Sequence, residues 1–174
     1  MHNPYQPYSY PGSPPWGTSK HAGVKVALYV LLGIASAVFL ATIALSIQTF
    51  KVPAPSMEPT IRSGDRIITM RLPGDTVAVN DIVAYKDGKK VYVKRVVACG
   101  GDQVVITGGR LMVNGQEGVL QGDGMGDMNQ TWTLEEDEYF LLGDNLANSQ
   151  DSRHTGPVKQ RDIIGELVFV WHTG

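Results

Sequence analysis

Residues 82–97 read Ile82-Val83-Ala84-Tyr85-Lys86-Asp87-Gly88-Lys89-Lys90-Val91-Tyr92-Val93-Lys94-Arg95-Val96-Val97. Two runs rich in β-branched and aromatic residues flank the turn signal Lys86-Asp87-Gly88, which is the pattern of a β-hairpin. Similar short runs recur at 66–70, 104–106, 111–113, 139–142 and 163–170. Thr107-Gly108-Gly109-Arg110 and Asn114-Gly115 supply further turns. Helical periodicity is weak beyond residue 47. The expected fold is therefore mostly β, a compact antiparallel sandwich or partly closed barrel. Residues 115–133, rich in Gly, Gln, Asp and Asn, are expected to form a loop or an irregular hairpin. No internal repeat is present.

Upstream, the pattern changes. Residues 26–47 read VALYVLLGIASAVFLATIALSI, without a charge and bounded by Lys25 and a short flank to Lys51. About 20 apolar residues suffice to cross the hydrocarbon core, so this segment is expected to be a transmembrane anchor. Lys20 and Lys25 precede it, and all 17 acidic residues lie beyond it, starting at Glu58. The positive-inside bias then places the N-terminus in the cytoplasm and residues 48–174 outside. A cleaved signal peptide is the alternative, with Ala35-Ser36-Ala37 as a cleavage motif. That motif falls in mid-segment, and the apolar run exceeds the usual h-region of about 7–15 residues. Residues 1–25 read as a disordered tail, with five prolines and three tyrosines in the first nineteen.

A formal net charge of −2, with no long basic run, gives no case for nucleic-acid binding. The single cysteine, Cys99, excludes an intrachain disulfide and reads as a small buried hydrophobe rather than a reactive thiol. Residues 48–174 are numerous enough to stand on a hydrophobic core alone.

Three polar constellations sit on this framework. Val52-Pro53-Ala54-Pro55-Ser56-Met57-Glu58-Pro59-Thr60 surrounds a serine with three prolines, whose fixed φ stiffens the loop. A stiff loop suits a nucleophile and equally suits a rigid linker. Ser56 follows Ile47 by nine residues, so it lies at most about 30 Å along the chain from the end of the apolar segment. A serine hydroxyl needs a base. Lys94 is one candidate, placed by strand alternation on the face of Tyr92 and Val96, where burial would lower its pKa. His154, with Asp144, is the other. The third constellation, Gly143-Asp144-Asn145-Leu146-Ala147-Asn148-Ser149-Gln150-Asp151-Ser152-Arg153, follows an apolar run and can pair Asp151 with Arg153 in a charge-assisted fork. A solvated turn is the competing reading.

Taken together and in this order, Ser56-Met57-Glu58-Pro59-Thr60, Lys94-Arg95-Val96-Val97 through Gly101-Asp102, and Gly143-Asp144-Asn145 with Ser149-Gln150-Asp151-Ser152-Arg153 resemble bacterial type I signal peptidases. The resemblance covers about residues 26–170. It implies a mostly β serine protease without metal or cofactor, in which Ser56 attacks and Lys94 takes its proton. It further implies that Ser149 orients Lys94 by a hydrogen bond, and that Arg95, Asp144, Asp151 and Arg153 form a supporting salt-bridge network. The implied substrates are preproteins, cut after small residues at the end of a signal peptide. The implied setting is the bacterial cell membrane, with lipid bilayer and secretion translocon as partners.

The single anchor and the short insertion after Asp102 resemble the compact Gram-positive form. Two positions depart from the family. Ala54 stands where Ser or Gly is frequent, which leaves the oxyanion to backbone N–H groups, chiefly that of Ser56. Ala98-Cys99-Gly100 stands where Gly-Leu-Pro is usual. Two other readings remain open on sequence alone: a membrane-tethered β domain that binds or assembles exported chains without catalysis, and a self-cleaving Ser/Lys repressor-type protease.

Overall fold

The computed structural model describes residues 22–71, 77–122 and 124–172. The chain divides into two compact units, Met1–Ala41 and Thr42–Gly174. Most of helix α1 (Ala22–Ser46) belongs to the first; among the described residues it contains one span, Gly23–Ser46, long and apolar enough to cross a membrane, and none of its most apolar window is buried in protein. The helix begins before the expected residue 26, and Ile47 already belongs to a strand. The tail expected before the anchor falls largely outside the described residues.

Among its described residues the second unit has eleven strands in two antiparallel sheets. The larger has seven strands in the order β1 (Ile47–Lys51), β2 (Arg66–Met70), β11 (Ile163–Trp171), β3 (Ile82–Asp87), β4 (Lys90–Ala98), β9 (Glu138–Leu142), β10 (Val158–Lys159). The smaller runs β7 (Gln116–Glu117), β6 (Arg110–Val113), β5 (Gln103–Thr107), β8 (Gln130–Thr133). Neither sheet closes on itself, so the β-rich expectation is met in an open form.

The hairpin of residues 82–97 lies inside the large sheet, and its apolar runs are continuous because both of its faces are covered. Ile82, Ala84 and Val93 join Val52, Met57, Ile61 and Ile67 in one core. Val83, Tyr85 and Val96 point the other way, to Tyr139, Leu141, Val158 and Ile163. Further along β4, Val97 and Ala98 turn into a third core with Ile106, Leu111, Phe140 and Leu142. The turn between β3 and β4 rests on Gly88, whose φ of +58° avoids the Cβ clash other residues meet there.

Besides β7 and β10, of two residues each, two strands lie outside the runs read as strands, β8 within the segment expected to be a loop or an irregular hairpin. β1 occupies residues between the anchor and the serine loop and pairs with β2 from Ile47↔Met70 to Lys51↔Arg66. β8 rises from the polar 115–133 segment to pair with β5. Both are edge strands of mixed polarity and are largely exposed, so they lack the alternation that marks a half-buried strand. Cys99 is half-buried beside Tyr139 and its neighbours, and burial raises its thiol pKa, as befits a packing residue rather than a reactive one.

Candidate active site

The serine loop is tied down from both ends. The Val52 N–H donates to the Asp65 carbonyl at 2.9 Å, and the Gly64 N–H returns to the Val52 carbonyl at 2.8 Å. Pro55–Met57 forms a 3-10 turn, and Met57 and Ile61 plug fully into the core below it. Ser56 is thus held on a short turn whose side chain is half-buried. Its own N–H lies at the start of that turn, where backbone donors have no partner within the turn.

Lys94 projects from the middle of β4. It is 2 % exposed, and Tyr92 and Val96, two residues to either side, pack against the same core. Its Nζ donates to Ser56 Oγ at 2.7 Å and to the Val93 carbonyl at 3.0 Å. Burial is the main cause that brings its pKa down to about 8, with Arg153 adding to the fall and Asp151 and Asp144 opposing it.

The 143–153 segment packs against this pair. The Asn145 N–H donates to the Ser56 carbonyl at 3.0 Å. Gly143 is in closer contact still: a Cβ added there would stand 2.4 Å from the Ser56 carbonyl oxygen and 2.2 Å from Ser149 Oγ. Only glycine fits without moving the serine loop. Gly143→Ala is therefore expected to lower kcat/KM by on the order of 100-fold, since small displacements from reactive geometry carry such costs. Steady-state cleavage of a peptide substrate measures it, and unchanged activity would contradict this packing.

The expected ionic residues are all brought near, but as two separate pairs rather than one network. Arg95, on the opposite face of β4 from Lys94, holds Asp144 in a bidentate fork at 2.8 and 2.7 Å. Asp144 also accepts from the Thr60 hydroxyl at 2.6 Å, which links β4 to the far end of the serine loop. The second fork, Arg153 to Asp151 at 2.8 and 2.9 Å, is buried. Arg153 donates further to the carbonyls of Gly124, Leu146 and Ser149, and Asp151 accepts from the Gly143 N–H. Burial alone would raise the Asp151 carboxyl. Arg153, Ser149 and the Gly143 N–H together hold it below its ordinary value.

Ser149 departs from its expected part. Lys94 Nζ makes its contacts to Ser56 and Val93, and Ser149 Oγ is buried without a hydrogen bond of standard geometry, although it lies close enough to Asp151 to favour the carboxylate. His154 is engaged elsewhere: its ring sits over the start of a short helix, α2 (Ser152–Thr155), where Asp151 and His154 form a capping box. With Asp144 held by Arg95, the Ser56–His154–Asp144 arrangement is not assembled. Among the described residues no group of three or more His, Cys, Asp or Glu side chains is placed to hold a metal ion.

A cleft of about 600 Å³ opens beside Ser56. One wall is residues 50–54 and the other residues 90–94, with Asn148 and Gln150 alongside. β9 pairs with β4 only from Arg95 onward, at Arg95↔Leu142, so residues 90–94 are paired by β3 on one side and present their other edge to the cleft. The walls Phe50 and Lys51 carried no signal in the sequence, because they act through position in the sheet; Asn145 stood in the third constellation without a role, and its contribution here is a backbone N–H.

Residues 25–172 match the family model described as signal peptidase, peptidase S26. A signal peptidase I of Leptolyngbya laminosa is 32% identical over 149 residues, covering 72% of this chain and 71% of that one. A signal peptidase I of Bacillus caldolyticus is 34% identical, covering 70% and 78%. A solved signal peptidase I structure from Enterococcus faecalis is 26% identical, covers 54% of this chain and 98% of that one, and has a TM-score of 0.44. The chain belongs to the signal peptidase family, peptidase S26, and is a serine peptidase of the type I signal peptidase group.

Proposed function

We propose that this membrane-anchored enzyme removes signal peptides from exported preproteins with Ser56 as nucleophile and Lys94 as general base. The observation that carries the reading is the 2.7 Å contact between Lys94 Nζ and Ser56 Oγ, made by a lysine that is 2 % exposed. An ammonium at that position donates to Oγ. Once neutral, the amine accepts the Oγ proton as Oγ attacks the scissile carbonyl. The carbonyl oxygen becomes an oxyanion facing the Ser56 N–H; Ala54 offers it no hydroxyl. Collapse of the tetrahedral intermediate breaks the C–N bond. Lys94 passes its proton to the departing amine, leaving the signal peptide as an ester on Ser56. Water then attacks this ester, with Lys94 again taking the proton; the C–Oγ bond breaks, Lys94 returns the proton to Ser56 Oγ, and the signal peptide leaves with a free carboxyl group.

Supporting residues act through the loop that cradles the pair. Arg95–Asp144–Thr60 fixes the serine loop to β4, and Asp151–Arg153 fixes the 143–153 segment that abuts Ser56 and Lys94. Ser149 contributes through packing against Gly143. Cleavage after small residues, a cytoplasmic N-terminus, an extracytoplasmic catalytic unit in a bacterial cell membrane, and delivery of substrates by the secretion translocon complete the reading. The non-catalytic alternative gives no reason to bury a lysine against a serine, because a buried amine without a chemical task carries a desolvation cost.

The proton inventory predicts the pH profile. Below its pKa of about 8, Lys94 is an ammonium and cannot act as base. The rate kcat/KM is expected to rise about tenfold per pH unit up to that point and to level above it. A profile flat from pH 6 to 9, or one rising through about 6.5 as an ordinary histidine would, would rule out Lys94.

A further inference from the structure

The lining of the cleft holds three lysines, Lys51, Lys90 and Lys94, and no carboxylate. Lys94 belongs to the reacting pair. The other two are exposed and sit at the far end of the two walls: Lys51 is five residues before Ser56, and Lys90 is four before Lys94. At about 3.3 Å per extended residue, their backbones lie at most roughly 13–17 Å along the chain from those of Ser56 and Lys94.

Their surroundings reinforce the charge. Lys51 faces Arg66 across the β1–β2 pair. Lys90 faces Asp87 across the β3–β4 hairpin, whose tip also carries Lys86 and Lys89. One wall thus carries Lys51 and Arg66, and the other carries Lys86, Lys89 and Lys90 with Asp87. Among the described residues, neither Lys51 nor Lys90 has an ion-pair partner.

An extended peptide lying along the open edge of β4 would bring a side chain between these lysines. The segment on the acyl side of the scissile bond suits the cleft, because it remains covalently held on Ser56 after the amine has left. We propose that Lys51 and Lys90 form a cationic gate that favours a carboxylate and disfavours a basic side chain four or five residues before the scissile bond. The gate rests on the reading of Ser56 and Lys94 as the reacting pair. It adds a charge criterion to a cleft that is otherwise apolar near Ser56, where Val52, Pro53, Ala54 and Val93 line it.

The test uses the full chain in a nonionic detergent and a peptide series that differs only by Glu, Gln or Lys, scanned from three to seven residues before the scissile bond. At four or five residues, kcat/KM is expected to favour Glu over Lys by about 5- to 10-fold at low salt, with Gln between. The preference shrinks toward unity near 0.5 M salt, because exposed charges are screened. Lys51→Gln and Lys90→Gln each reduce it, and the double variant Lys51→Glu/Lys90→Glu reverses it.

No ranking at any position, or the same ranking in the reversed variant, overturns the gate. So does a ranking unaffected by the lysines together with a dependence on them for activation by anionic vesicles, which would make lipid headgroups their partner. Cleavage of the series by Ser56→Ala overturns the gate and the dyad together. Cleavage that needs Ser56 but ignores substrate charge overturns the gate alone.

Discussion

Lys94→Met is expected to lower kcat by at least about 10⁴-fold while leaving the protein folded, with a melting temperature equal to or above that of the unsubstituted chain. Removing one member of a nucleophile–base unit typically loses nearly all that the unit supplies. The stability half of the expectation follows from burial. Lys94 is enclosed beside Tyr92, Val96 and the core behind them, and among the described residues its amine donates to Ser56 Oγ and the Val93 carbonyl. A methionine of similar length fills that space without the cost of desolvating an amine. Activity and stability therefore part company, which a merely structural lysine would not allow. His154→Ala, which alters only the capping box of α2, is expected to keep most activity. Kinetics and thermal unfolding of the two variants side by side check the pair of expectations.

Arg153→Ala is the second large effect, and it falls on stability. The guanidinium closes a fork on Asp151, which is fully buried, and ties down three carbonyls from separate parts of the chain. Its loss strands a buried carboxylate, a change that costs about 3–5 kcal/mol. For a unit of this size that corresponds to a fall of roughly 10–20 °C in melting temperature. The pH dependence has a definite sign. The folded-state pKa of Asp151 is lowered, so its contribution is present above the ordinary carboxyl range and is lost as pH falls through the depressed value. The gap between the two proteins should therefore narrow in acid. Arg161→Ala, which breaks an exposed contact with Asp162 at 3.9 Å, should stay within about 0.5 kcal/mol. Equal effects of the two substitutions would contradict the account of the 143–153 segment.

What could be read in the chain and what could not follow from where each residue finds its partner. The hairpin of residues 82–97 was legible because both its faces are covered, which leaves an apolar run in the sequence. Asp151 and Arg153 were legible as a pair because they are two residues apart. The Ser56–Lys94 contact spans 38 residues, and nothing local distinguishes it from a linker serine and a surface lysine. It became legible only when three blocks were taken together.

The separate pairing of Arg95 with Asp144 depends on β4 presenting Arg95 and Lys94 to opposite faces, a consequence of register with β3 and β9. Ser149 was read as a partner of Lys94, yet its hydroxyl lies against Gly143 and beside Asp151. Strand β1 escaped notice, and β8 was read only as part of a loop or an irregular hairpin, because edge strands need no continuous apolar face.

The most direct test of the central claim is incubation of a purified preprotein with the full chain and with its Ser56→Ala variant, followed by determination of the new N-terminus. The account predicts one mature N-terminus from the unsubstituted chain, immediately after a small residue at the end of the signal peptide, and intact preprotein with the variant. Processing by the Ser56→Ala variant at the same bond, or no processing by the unsubstituted chain, would contradict it.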